Sequence, residues 1–152
     1  MKGLIVTANH TVQLVDDIPM PEIGPYEALV RIDCCMICNG TDMEILRGQL
    51  PEATEYPLML GHESAGHVIR IGEKVRSFQP GDQVIRACLP SNARYASSWG
   101  SFSEYGAVLD YAAAAADGLP ENRIRGGMTQ QKVDARISPE VASLMITLKE
   151  TY

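Results

Sequence analysis

Cys38, His62 and Glu63 are the residues of this chain with the plainest chemical capacity. A thiolate, an imidazole and a carboxylate are all zinc donors. A catalytic zinc takes three protein ligands and keeps one position for water or substrate. The cysteine lies far from the other two in sequence, so a site built on them would join two separate loops. Spacing alone leaves a second reading open, in which Cys38 is an unliganded thiol and His62 a hydrogen-bonded structural histidine.

Other candidates carry less. Cys35-Met36-Ile37-Cys38 is a C-x-x-C, but one pair cannot make a four-cysteine zinc site and Cys88 has no companion. A redox-active pair normally sits in a βαβ context, and none is legible here. Gly61 to Gly66 has the glycine spacing of a phosphate loop, yet His67 follows where the phosphate-gripping Lys-Ser/Thr belongs. The chain has no G-x-G-x-x-G, so no Rossmann pyrophosphate site is expected in these residues. Ser101 and Ser103 stand outside any G-x-S-x-G elbow. Glu52, Glu55 and Glu63 carry little as a glycosidase-type acid pair.

The elements that must position these groups are short. Lys2–Ala8 and Thr11–Asp16 read as strands around an Asn9-His10 turn. In Ala28–Cys35 the residues Ala28, Val30, Ile32 and Cys34 alternate with Leu29, Arg31, Asp33 and Cys35, and the first set is the expected core face. Met36–Glu55 reads as irregular or weakly helical. His62–Ile71 carries β-branched Val68 and Ile69. Phe78-Gln79-Pro80-Gly81-Asp82 is a turn, because proline presets φ and glycine allows positive φ. Asp82–Ala87 and Ser103–Leu109 are further strands. Short strands at regular spacing with turn signals between them predict a mainly β, partly open barrel.

The tail differs in kind. Tyr111–Gly118 holds a five-alanine run closed by glycine and reads as a short helix. Leu119–Ile137 is polar and patternless, and 111–137 as a whole reads as a variable insertion or loop. Ser138-Pro139-Glu140 is a helix start, with a capping serine and proline at the first helical position. Val141, Leu144, Met145, Leu148 and Tyr152 follow at helical spacing. The pattern is still running at Tyr152, with no stop signal. The expectation is therefore a piece of a longer chain, with a catalytic domain over 1–137 and the start of a linking helix over 138–152.

Composition bounds the partners. At 152 residues the chain fits one domain with its own core. A net charge of −6 disfavours non-specific binding to nucleic acid or anionic membrane. No stretch approaches the roughly 20 apolar residues of a membrane span, and the N-terminus is too short in apolar residues for a signal peptide. Four cysteines that include adjacent Cys34 and Cys35 make a poor disulfide framework, so a reduced, cytoplasmic chain is expected.

The order of the motifs resembles one family, the zinc-dependent medium-chain alcohol dehydrogenases, in their N-terminal GroES-like catalytic domain. The matching residues are Ile37 to Asp42, then Pro57-Leu58-Met59-Leu60-Gly61-His62-Glu63-Ser64-Ala65-Gly66-His67-Val68, Ile71 to Val75, Phe78 to Val84, and Gly100-Ser101-Phe102-Ser103-Glu104-Tyr105. The resemblance implies a GroES-like barrel with short helices and a C-terminal linking helix. It implies one catalytic zinc per chain, with Cys38 and His62 as ligands and Glu63 as a third ligand or near neighbour. Thr41 resembles the hydroxyl that bonds the substrate alcohol and starts a proton relay, and Asp42 the acid that orients the histidine ligand. Glu44 stands where many relatives place a relay histidine.

The implied reaction oxidises an alcohol or polyol to a carbonyl through a zinc alkoxide, with hydride passing to NAD or NADP. The nicotinamide would bind a Rossmann domain outside this chain, so the chain alone is expected to be inactive. Relatives often supply a third zinc ligand from the terminal helix, and Ile146 holds that position here. The four-cysteine structural zinc lobe is reduced to Cys88. The apolar stripe from Val141 to Tyr152 is expected to face the missing domain or a second copy of the chain. The alternative from another class is a GroES-like binding scaffold without catalytic zinc.

Overall fold

The computed structural model describes residues 1–51 and 53–149. Nine strands and four helices follow in chain order: β1 (Gly3–Val6), β2 (Val12–Val15), β3 (Glu27–Met36), α1 (Thr41–Leu46), β4 (Leu58–Met59), β5 (Glu63–Ile71), β6 (Gln83–Ile85), β7 (Ala96–Ser97), β8 (Tyr105–Leu109), α2 (Tyr111–Ala116), α3 (Glu121–Ile124), a 3-10 turn (Arg125–Thr129), β9 (Lys132–Val133) and α4 (Pro139–Lys149). The mainly β architecture expected from the strand spacing is the one observed.

The strands form two sheets, one in the order β2-β1-β4-β7 and the other in the order β8-β3-β5-β6-β9. All pairings are antiparallel except β4 with β7. The sheets meet where Gly3 bridges Ser103 and the Leu4 amide donates to the Phe102 carbonyl at 2.8 Å. One apolar cluster, with Val30, Val68, Val84 and Val108 at its centre, fills the five-stranded sheet. A second lies around Ile5, Ile18, Met59 and Tyr95, and a third around Val6, Ile45 and Leu58. The third cluster matters for the site, because it anchors α1 through Ile45.

Strand β3 departs from strict alternation. Ala28, Leu29 and Val30 are all buried, although period-two patterning assigns Leu29 to the other face. The β3–β5 register shifts between Leu29 and Val30 and again between Ile32 and Cys34. Such bulges twist the strand and re-aim its side chains. Close approach of β3 and β5 also explains Gly66, since a Cβ there would lie 2.2 Å from the Arg31 carbonyl oxygen.

Residues 111–137, patternless in sequence, are built into the body of the protein. Asp110 caps α2 by accepting the Ala113 amide at 3.0 Å. Ile124 is buried, and β9 pairs with β6. The side chain of Gln130 accepts the Leu109 amide at 2.7 Å and donates to the Arg86 carbonyl at 2.9 Å. Local periodicity misses this segment because its anchors are single residues with distant partners.

Helix α4 lies on β3 and β5 through its small face. Ala142, Ser143 and Ile146 are buried, while Val141, Leu144, Met145 and Leu148 remain 42–53% exposed. Tyr152, the last member of the expected stripe, lies outside the described residues. Among the described residues, no helix is long and apolar enough to cross a membrane.

Candidate metal centre

The end of β3 delivers Cys38 into a loop, and α1 begins three residues later. Gly61 turns the other segment. Its φ is +92°, a left-handed conformation that side chains disfavour, and a Cβ there would lie 2.5 Å from the Phe102 amide nitrogen. The turn sends His62 and Glu63 inward at the start of β5. His62 is 5% exposed and Glu63 1%.

These two loops bring together the three donors expected from the sequence. One donor atom each from Cys38, His62 and Glu63 lies within 4.8 Å of the others. Bonds of about 2.0–2.3 Å to each donor span nearly that distance. The chemistry of the cluster also calls for a cation. Both oxygens of Glu63, both ring nitrogens of His62 and Oδ1 of Asp42 are buried without a hydrogen-bond partner among the described residues. A buried carboxylate without a partner is costly, by several kcal/mol where nothing compensates it. The residues present therefore fit a metal ion held by one sulfur, one nitrogen and one oxygen.

Asp42 ties the two loops together. Its Oδ2 accepts the Cys38 amide at 2.9 Å, and its Oδ1 lies 3.5 Å from Nδ1 of His62. That leaves Nε2 of His62 on the Glu63 side, 3.9 Å from Oε1. Burial opposes ionisation of the Cys38 thiol. The amides of Thr41 and Gly40, then His62 and the Thr41 hydroxyl, outweigh it and hold the thiol below the usual cysteine range. Burial likewise works against the imidazolium of His62, but Asp42 and the Cys38 sulfur outweigh it and raise the group. At Cys35 the amides of Glu63 and His62 give too little support to offset burial. Burial pushes its thiol up to about 12, so the two cysteines of the C-x-x-C are chemically unlike. All four cysteines are free.

Thr41 opens α1 beside the Cys38 sulfur, and Asp42 is buried one residue on. Glu44, on the same helix, points to solvent and stands apart from the three-donor cluster. Ile146 is 2% exposed on α4 and offers no donor atom. What α4 does contribute is Ser143, which the sequence reading did not single out. Its hydroxyl accepts the Met36 amide at 3.1 Å and donates to the Glu63 carbonyl, so it joins both halves of the site.

Trp99 was also missed. Its ring centroid lies 5.2 Å from that of His62, at an interplanar angle of 46°. A single tryptophan beside Gly100 carried no periodic signal, and only the folded chain places it there.

Comparison with known proteins bears on the family and the fold. The family model described as the alcohol dehydrogenase GroES-like domain matches residues 24–121. An alcohol dehydrogenase of Cupriavidus necator is 37% identical over 110 residues, covering 72% of this chain and 29% of that protein. A sorbitol dehydrogenase of Bombyx mori is 32% identical over 126 residues, covering 71% of this chain and 36% of that protein. This chain thus spans about a third of the length of these relatives. A cinnamyl alcohol dehydrogenase of Sorghum bicolor shares the fold with a TM-score of 0.68 at 17% identity, over 93% of this chain and 43% of that one. The family model spans more than half of the sequence, including Cys38, His62 and Glu63, and on that ground the chain belongs to the GroES-like domain family of the alcohol dehydrogenases.

Proposed function

We propose that this chain is the metal-bearing catalytic part of an NAD(P)-dependent alcohol or polyol dehydrogenase. Cys38, His62 and Glu63 would hold the ion, and the S, N, O donor set suits zinc. Bound there, zinc would supply Lewis acidity that lowers the pKa of a substrate hydroxyl. The buried, unpartnered carboxylate of Glu63 beside a thiol and an imidazole is the observation that carries this reading.

The chain's own residues divide the remaining work. Asp42 orients His62 and fixes the Cys38 backbone, as carboxylates around metal sites commonly do. The Thr41 hydroxyl, next to Cys38, is placed to take the proton of a substrate hydroxyl and pass it outward. Exposed Glu44, one turn from the loop, is the group that returns that proton to solvent. The body 1–137 is the catalytic unit. Residues 138–152 begin the link to a nicotinamide-binding domain outside this chain, and the exposed apolar face of α4 turns toward that domain or a second copy. Without the nicotinamide, the chain alone binds metal and does not turn over.

One observation favours a second reading. Ile146 cannot act as a ligand, so α4 contributes none, and a GroES-like scaffold without metal would tolerate that substitution. Elemental analysis of the chain and of Cys38→Ser, after dialysis against a mild chelator, separates the two. About one zinc per chain, lost in the variant, is the expected result. A zinc-free chain in both cases overturns the catalytic reading in favour of the scaffold.

A further inference from the structure

A cavity of about 710 Å³ is lined in part by Trp99. Its size is that of a small-molecule site. Arg123, Arg125 and Arg86 line the same cavity. The protein as a whole has a net charge of −6, so a concentration of guanidinium groups in one hollow runs against the global balance.

The two arginines of the insertion are held out by its packing. Ile124 between them is buried at 3% exposure and pins the segment, while Arg123 and Arg125 stay exposed. Neither has a carboxylate within salt-bridge distance among the described residues, unlike Arg31, Arg76, Arg94 and Arg136. Two acids also line the cavity, Glu22 and Glu27. Glu27 is already engaged, because its carboxylate accepts the Gly24 amide at 2.7 Å.

The frame of the hollow is rigid. Gln130 reaches from the insertion to four points of the barrel, the Arg86 carbonyl, the Cys88 sulfur at 3.3 Å, the Ala107 carbonyl at 3.4 Å and the Leu109 amide. Arg86 sits at φ +60°, an uncommon conformation for a long side chain, with its amide donating to the Ser64 carbonyl at 2.8 Å. Strain of this kind persists where surrounding bonds enforce it, and it gathers at ligand clamps.

We propose that this cavity binds a small organic anion, a phosphate monoester or a carboxylate, with its charge on Arg123 and Arg125 and its body against Trp99. Planar guanidinium groups match both anions through paired N–H donors. The inference goes beyond the metal reading and does not depend on it, since no metal ligand lines the cavity.

Trp99 is the single tryptophan of the chain, so its emission reports its own surroundings, and metal is removed first because the ring also lies against His62. The test uses the full chain after metal chelation, titrated with glycerol 3-phosphate, succinate and uncharged glycerol, by fluorescence and by calorimetry. Saturable binding of glycerol 3-phosphate or of succinate, with no response to glycerol, is the expected result, and the tighter of the two identifies the anion class. The double variant Arg123→Gln, Arg125→Gln should weaken binding at least about tenfold. Arg136→Gln, which removes one positive charge elsewhere, should leave it unchanged. Equal responses to glycerol and glycerol 3-phosphate, or equal affinity in the double variant, would overturn the proposal. So would the absence of saturable heat with either anion. Both arginines are exposed, and matching thermal melts of the variants exclude misfolding as the cause.

Discussion

Asp42 and His62 face each other inside the protein, Oδ1 to Nδ1 at 3.5 Å, while the other oxygen of Asp42 holds the Cys38 amide at 2.9 Å. One carboxylate thus sets the ring of one candidate ligand and the backbone of another. Because Asp42 sits in α1, and α1 is anchored by buried Ile45, the position of both ligands is inherited from the core of the first sheet.

Replacing Asp42 with Asn should therefore weaken metal binding without abolishing it. Losses of about 10–100-fold are typical when such a supporting carboxylate is changed. Cobalt titration followed by the thiolate charge-transfer band measures this directly. Unaltered affinity in Asp42→Asn would remove the residue from the site.

Glu63→Gln tests the cost of the buried carboxylate. In metal-free protein the variant should be more stable, by about 1–3 kcal/mol, because a buried carboxylate with no hydrogen bond has been removed. At this chain length that is a rise of roughly 2–10 °C in the melting midpoint. The stabilisation that zinc confers on the parent should disappear in the variant. A lower midpoint for metal-free Glu63→Gln would mean that the carboxylate has a compensating partner.

Acid stability should depend on Asp110. Its carboxylate is buried, which raises its pKa. The amides of Arg76, Ala113 and Ser77 and the Ser77 hydroxyl more than offset this and hold it below the usual aspartate range. The folded-state pKa is lower than the unfolded one. The stabilisation is thus complete above about pH 4 to 5, and is lost as pH falls through the folded value. Asp110→Asn should lose about 2–3 kcal/mol at pH 7 and show a shallower decline in acid. Urea midpoints at pH 7, 5 and 3 give both numbers, and parallel declines in parent and variant would refute the assignment.

Two glycines separate close packing from backbone conformation. Gly66→Ala places a Cβ 2.2 Å from the Arg31 carbonyl oxygen, so β3 and β5 must move apart, at a cost of about 3 kcal/mol or more. Gly81 also has positive φ, +93°, but nothing lies within 4 Å of its added Cβ. Gly81→Ala should therefore cost only about 1–2 kcal/mol. Equal losses in the two variants, by chemical denaturation, would show that packing between β3 and β5 is not what excludes a side chain at Gly66.

Much of the fold was legible because it is written locally. Val30 sits in an alternating run, Val68 stands beside β-branched Ile69, the Pro80-Gly81 turn has its own chemistry, and Ser138-Pro139 starts α4 where capping residues predict. The candidate donors Cys38, His62 and Glu63 were legible through the family's motif order, which links two loops that spacing alone leaves unconnected. Thr41 and Asp42 were legible in the same way, from their places beside Cys38.

Tertiary structure alone decided the rest, since those relationships join residues with no common period. Ser143 meets the Glu63 carbonyl across 80 positions of sequence, and Gln130 reaches Arg86 across 44. Trp99 lies by His62 because the Ser101 and Phe102 amides that follow it bond the Gly61 and Leu60 carbonyls. Leu29 is buried apart from the cluster that holds Ala28 and Val30, because the second face of β3 is covered as well. The apolar residues of α4 remain exposed because the helix lays its small face, Ala142 and Ser143, against the barrel. Local patterns determine which elements form, through propensity and periodicity. Which faces meet is decided by how the two sheets close, and the environment of the metal centre depends on that closure.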